Sequence, residues 1–123
     1  MASELRVNTL KDAAGNNSVG VSTVANGSAK AYAERTVDAT PATTSSLNVA
    51  SLTDTGTGDT GYNLTSAMND DDGPVAGTNS NTATDQGMLG RFETASQMRS
   101  QTRDSSGNLV DKRVSVIGFG DLA

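Results

Sequence analysis

Cysteine, histidine and tryptophan are missing from this chain of 123 residues. Without cysteine there is no disulfide framework and no thiolate zinc site. Without histidine and cysteine, nucleophilic catalysis loses its usual base and its most reactive nucleophile. A serine–lysine pair is left, but the lysines are only Lys11, Lys30 and Lys112, in no recognisable motif. The chain is therefore read as not an enzyme, and no cofactor is implied. Large apolar residues are scarce as well. Leu, Val, Ile and Phe together number 21, below the roughly 20% at which disorder becomes a serious reading. The net charge of −5 is only moderate. The composition thus lies between a thinly cored domain and a disordered adaptor.

Long hydrophobic runs are missing too. No stretch could span a bilayer, so membrane insertion is not expected. Met1-Ala2-Ser3-Glu4 is polar and no apolar segment follows it, so no signal peptide is expected. The acidic balance, with no basic patch, argues against nucleic acid as a partner. One small core with two Phe and two Tyr would struggle to offset the backbone entropy lost on folding. A bound metal, or burial against other copies or a larger assembly, would make up the difference, and the second is the preferred remedy.

What is present is turn chemistry between short alternating segments, the all-β signal. Leu5, Val7 and Thr9 alternate with Glu4, Arg6 and Asn8 in a first strand. Asp12-Ala13-Ala14-Gly15-Asn16 suits a type I turn closing a hairpin, with Val19 and Val21 in the return strand. Ser28 to Glu34 puts Ala29, Ala31 and Ala33 on one face, a face suited to close approach by a neighbouring backbone. Residues 36–46 read as irregular. Leu47 to Leu52 and Tyr62 to Leu64 flank a turn at 55–59, and Asn69 to Pro74 is a strong breaker. Residues 75–90 are polar and interrupted by glycine. Arg91 to Arg103 favours strand over a helix that would align Phe92, Ala95 and Met98. Asp104 to Asn108 repeats the turn pattern of 12–16. Val114 to Phe119 is apolar on both faces and reads as a central strand.

Several segments resemble a known family. Ser3-Glu4-Leu5-Arg6-Val7-Asn8-Thr9-Leu10-Lys11-Asp12-Ala13-Ala14-Gly15-Asn16-Asn17-Ser18-Val19 resembles the "VDTLKDASGNNS" segment of tail-fibre proteins of marine and freshwater bacteriophages. Ser28 to Tyr32 is similar to the "GSAKAW" element that follows it, with Tyr32 in place of Trp. Leu47 to Asp59 resembles "FNVSSLTDNGTGD", with Leu47 in place of Phe. Leu64-Thr65-Ser66-Ala67-Met68 follows in the expected place. Thr102 to Gly107 with Val116 to Ala123 resembles the closing "TRDSSG…VFGDLA". The blocks keep the family's order and cover most of the chain, while residues 34–46 do not match. The resemblance implies a trimeric, β-rich fibre end or knob and brings no catalytic residues with it.

The expected architecture is all-β: short antiparallel strands and hairpins in a β-sandwich-like knob over 28–123, with an N-terminal β-hairpin or attachment segment over 1–27, assembled as a homotrimer. Leu5, Val7, Val19, Val21, Ala29 and Ala31 are the candidate trimer and attachment positions. Polar loops carry recognition on rigid β scaffolds, so loops 54–61 and 69–82 are the candidate receptor surface, with Asp54, Thr57, Asp59, Asn69 and Asp70 its chief residues. Asp70, Asp71 and Asp72 are the calcium candidates, since hard cations take several oxygens. Consecutive aspartates point apart, so a solvated loop without metal is the plainer reading. Arg91, Arg99 and Arg103 would meet an acidic partner or the chain's own Asp loops, but a solvated strand face is the preferred reading. The expected role is that of a virion structural protein, made in the bacterial host cytoplasm, contacting other virion proteins and the host cell surface. No long shaft and no tail-docking domain are expected, so a capsid decoration or cement protein, or a head fibre, is the alternative.

Overall fold

Alternation along residues 31–35 decides the fold. In β3 (Ala31–Arg35) Ala31, Ala33 and Arg35 are buried while Tyr32 and Glu34 face outward. A computed structural model describes residues 3–38, 40–79 and 86–123. Its other elements are β1 (Thr9–Lys11), β2 (Ser18–Gly20), α1 (Val21–Gly27), β4 (Thr43–Leu47), β5 (Val49–Gly56), β6 (Asp59–Leu64), β7 (Val75–Asn79), β8 (Gln86–Thr94), β9 (Gln97–Arg103) and β10 (Val114–Gly118). The chain is mostly β, with antiparallel pairing throughout these strands. One four-stranded sheet runs β4-β3-β10-β7 and a second runs β5-β6-β9-β8. β1 and β2 form a separate pair.

Both four-stranded sheets contribute to one core. The first sheet gives Ala31, Ala33, Val114 and Val116, and the second gives Tyr62, Phe92 and Met98, with Met68 from the intervening loop. Small residues on one side meet large ones on the other. An added Cβ at Gly118 would lie 2.5 Å from Met98 Sδ and 3.1 Å from Phe92 Cζ, so glycine lets the second sheet's side chains reach the backbone of β10. β10 lies between β3 and β7, as the apolar pattern of Val114 to Phe119 predicts. Ala31 and Ala33 have a different use from the one expected. They are fully buried in their own chain, so the alanine face packs on the second sheet and is not available to a neighbouring copy.

Three further segments differ from the sequence reading. Residues 43–47 form edge strand β4, paired with β3. Its five residues are all exposed, so no buried face imposes the apolar alternation by which strands are recognised. Asn48, at φ 57°, makes the corner into β5; asparagine is one of the few residues that tolerates this left-handed conformation. The Arg91–Arg103 segment is extended but not continuous, since β8 and β9 are joined at Ala95-Ser96. The residues beyond Gly20 leave the expected return strand and turn into α1. Val21 and Val24 sit at helical spacing, a signal masked by the strand preference of β-branched residues.

Both D-x-x-G-N turns form as expected. Gly15 N donates to the Asp12 carbonyl at 3.0 Å, and Gly107 N donates to the Asp104 carbonyl at 3.0 Å. Each aspartate caps its own turn: Asp12 Oδ1 accepts from Asn16 N and Asp104 Oδ1 accepts from Asn108 N. The expected first strand over 4–9 starts later, at Thr9, and Leu5 and Val7 precede it exposed. From Ser3 to Ser28 only Gly20 and Val21 are even half-buried.

Candidate functional site

The polar residues that the fold draws together lie at one end of the two sheets. Gly58 makes this possible. It holds φ +67°, and a Cβ there would lie 2.6 Å from Val110 N and 2.7 Å from the Thr102 carbonyl. Its close approach lets Gly58 N donate to Asp111 Oδ1 at 2.8 Å. Arg35, 1% exposed, reaches across from the first sheet, and its Nη1 donates to Thr60 Oγ1 at 2.8 Å. Its Nη2 lies 4.0 Å from Asp111 Oδ1, which gives the buried cation a nearby counter-charge. Tyr62 Oη and Ser100 Oγ are hydrogen-bonded at 3.0 Å. Burial pushes the Tyr62 hydroxyl above its ordinary pKa, against the lowering influence of Ser100 and Arg35.

Asp59 is the most committed charge of this end. Arg99 Nε and Nη2 donate to its two carboxylate oxygens, each at 2.7 Å, and Gln101 Nε2 adds a third bond at 2.9 Å. A two-pronged arginine–carboxylate pair is among the stronger polar contacts. The Arg99 hydrogen bonds are the largest cause holding the Asp59 carboxyl down at about 2, with Gln101 and Thr55 assisting against burial. Asp59 is 7% exposed. As a receptor contact it is therefore poorly placed, because its oxygens already serve the fold.

The other receptor candidates sit apart. Asp54 and Thr57 are exposed on the β5–β6 hairpin, and Asp54 Oδ1 accepts from Gly56 N at 3.0 Å. Asn69 and Asp70 are exposed in the loop after Met68, where Asn69 N donates to the Asp121 carbonyl at 2.7 Å. Asp59 belongs with the first pair in sequence but not in exposure. The part of loop 69–82 from residue 80 onward lies outside the described residues. Asp70, Asp71 and Asp72 are all exposed, and Asp70 Oδ1 accepts from Asp72 N. Among the described residues no group of three or more acidic side chains is arranged to hold a metal ion.

Sequence reasoning singled out Arg91, Arg99 and Arg103 without finding their partners. Arg91 pairs with Glu93 at 2.6 Å, Arg99 with Asp59, and Arg103 Nη1 donates to the Gly107 carbonyl at 2.8 Å. Arg35 and Asp111 were missed outright. An arginine in step with two buried alanines was the available signal for Arg35.

The attachment positions remain. Leu5, Val7, Leu10, Val19 and Val24 are exposed large apolar side chains of the N-terminal arm, residues 3–28. Val21 and Ala29 are half-buried, and Ala31 is fully buried. Lys30 joins the arm to the body: its Nζ donates to the carbonyls of Ala25 and Ser28 at the end of α1, and its N donates to the Gly118 carbonyl at 2.9 Å. In comparisons with known proteins, no family model, no curated protein and no solved structure matches this chain.

Proposed function

We propose that this chain is a structural protein of a bacteriophage virion, a homotrimeric appendage of the tail-fibre kind that serves in adhesion to the host surface. The observation that carries the reading is the division of labour along the chain. An arm that buries almost nothing of its own precedes a body whose two sheets enclose a core, in the manner of a β-sandwich-like knob. An assembly protein needs such an arm, whereas a self-sufficient monomer would be expected to cover Leu5, Val7 and Val19. The chain's resemblance to tail-fibre segments and its lack of histidine and cysteine support binding over catalysis. Asp54, Thr57, Asn69 and Asp70, exposed on the body, are the receptor-facing residues of this reading.

The same arm also supports a second role, as a capsid decoration or cement protein with residues 1–25 lying on capsid subunits. Copy number separates the two. In cryo-EM of purified particles, density for this chain at the tail in a few three-fold copies supports the fibre role. Density at many capsid lattice points replaces it with decoration. Absence from the particle contradicts both.

A further inference from the structure

Among the described residues, the outer face of the first sheet carries an apolar row with nothing packed over it. Register places Leu47 of β4 opposite Tyr32 of β3, Tyr32 opposite Ile117 of β10, and Ile117 opposite Ala76 of β7. The row therefore crosses all four strands. Leu47 is 49% exposed, Tyr32 39% and Ile117 40%. A groove of about 240 Å³ opens at its centre, lined by Tyr32 and Ile117 of the row with Ala29, Glu34, Ser45 and Ser115 beside them.

The arm is the matching half. A three-residue strand pair is marginal at best in water, and a seven-residue helix is too short to hold itself together. Such an arm is ordered by what it lies against. Within its own chain Leu5 stays 80% exposed, and the end of α1, at Asn26 and Gly27, shares a cleft with Asp70, Pro74 and Phe119, not with the row. Its size suits an interface, since residues 3–28 match the ~20–30 residues that a standard contact uses per side. Charge favours the same pairing. Residues 1–28 hold two acids, Glu4 and Asp12, and two bases, Arg6 and Lys11, so the whole net charge of −5 belongs to residues 29–123. Body against body sets acid on acid. A neutral arm on a body does not.

We propose that the arm of one copy docks across the Leu47–Tyr32–Ile117–Ala76 row of the next copy, its occupant being a second copy of this chain. This deepens the homotrimer reading and rests on it. The contact is head-to-tail, with different surfaces on its two sides, and it ends in a ring where the rotation between copies closes, as the homotrimer requires.

The test uses two full-length variants. In the first, Leu5→Asp with Val7→Asp disables the arm. In the second, Ile117→Lys with Leu47→Lys disables the row. Far-UV circular dichroism and thermal melts check that both bodies stay folded; if the row variant is unfolded, Tyr32→Lys alone replaces it. Native mass spectrometry should give a closed oligomer for the parent chain and monomers for each variant. A mixture of the two variants should give 1:1 dimers, because one good arm then meets one good row and no ring can close. A monomeric parent chain overturns the proposal, as do oligomers from either folded variant or mixed variants that stay monomeric. The particle-localisation experiment is separate. Density in the virion with a monomeric chain in solution would sink the arm-to-row contact and leave the virion role intact.

Discussion

The arm and the body contain the same turn in different surroundings. Asp12 and Asp104 each accept backbone hydrogen bonds within a D-x-x-G-N turn, and both carboxyls are held below the ordinary carboxylate value. The Asn17 side chain is the main cause for Asp12 and the Asn108 backbone N–H for Asp104. Around Asp104 the flanking chain is bound into the body through Arg103 and through Val110, whose N donates to the Thr102 carbonyl at 3.1 Å. Around Asp12 the flanking strands are exposed except at half-buried Gly20. Turn chemistry is local and forms in either setting. A core is not local, and only the body has one.

The contrast is broken most severely at Met98, fully buried where both sheets meet. Met98→Ala should destabilise the body by about 2–5 kcal/mol, read in urea unfolding followed by far-UV circular dichroism. A change below ~1 kcal/mol would mean that the two sheets do not share a packed core. Asp59→Asn should cost about 2 kcal/mol near neutral pH, the worth of holding that carboxyl at about 2 instead of 3.8. The folded form has the lower value, so this stabilisation is complete above about pH 4 and fades as pH falls toward 2. Unfolding curves for the parent chain and Asp59→Asn should therefore converge in that window. Curves that stay parallel through it would remove the pair from the stability account.

Smaller changes sharpen the contrast further. Asp104→Ala should lower the melting temperature of the body, whereas Asp12→Ala should leave it unmoved, although the turns match. Equal shifts in differential scanning calorimetry would tie the arm to the body's cooperative unit. Leu5→Asp should have the least effect, within about 0.5 kcal/mol on body unfolding in the dilute monomer, as expected of a surface change.

Much of the body was legible in the sequence because alternation against one core writes itself into residue type. Val114 and Val116 mark the central strand, and the glycine-rich turn at 55–59 the β5–β6 hairpin. The alternation of Ala31 and Ala33 was legible but its partner was not, since small side chains suit a neighbouring copy as well as the chain's own Tyr62 and Met98. β4 was not legible, since Thr43 to Leu47 pairs through its backbone and buries no side chain that would demand an apolar residue. The Arg35–Asp111 and Asp59–Arg99 pairs were hidden for another reason. Sequence separation says nothing about which charges a sheet register will oppose, and Asp59 reads as a loop residue until β6 pairs with β9. The helix at Val21–Gly27 was obscured by valine and threonine, whose preference for strands outweighs a single i, i+3 pair.

Hydrogen exchange on the full-length chain, followed by mass spectrometry across a dilution series, tests most directly whether arm and body differ as described. Amides of β3, β6, β9 and β10 should stay protected at every concentration. Those of residues 9–27 should exchange freely in the dilute monomer and gain protection only as copies associate. An arm that remains protected at the highest dilution would contradict the account, because its order would then come from its own chain.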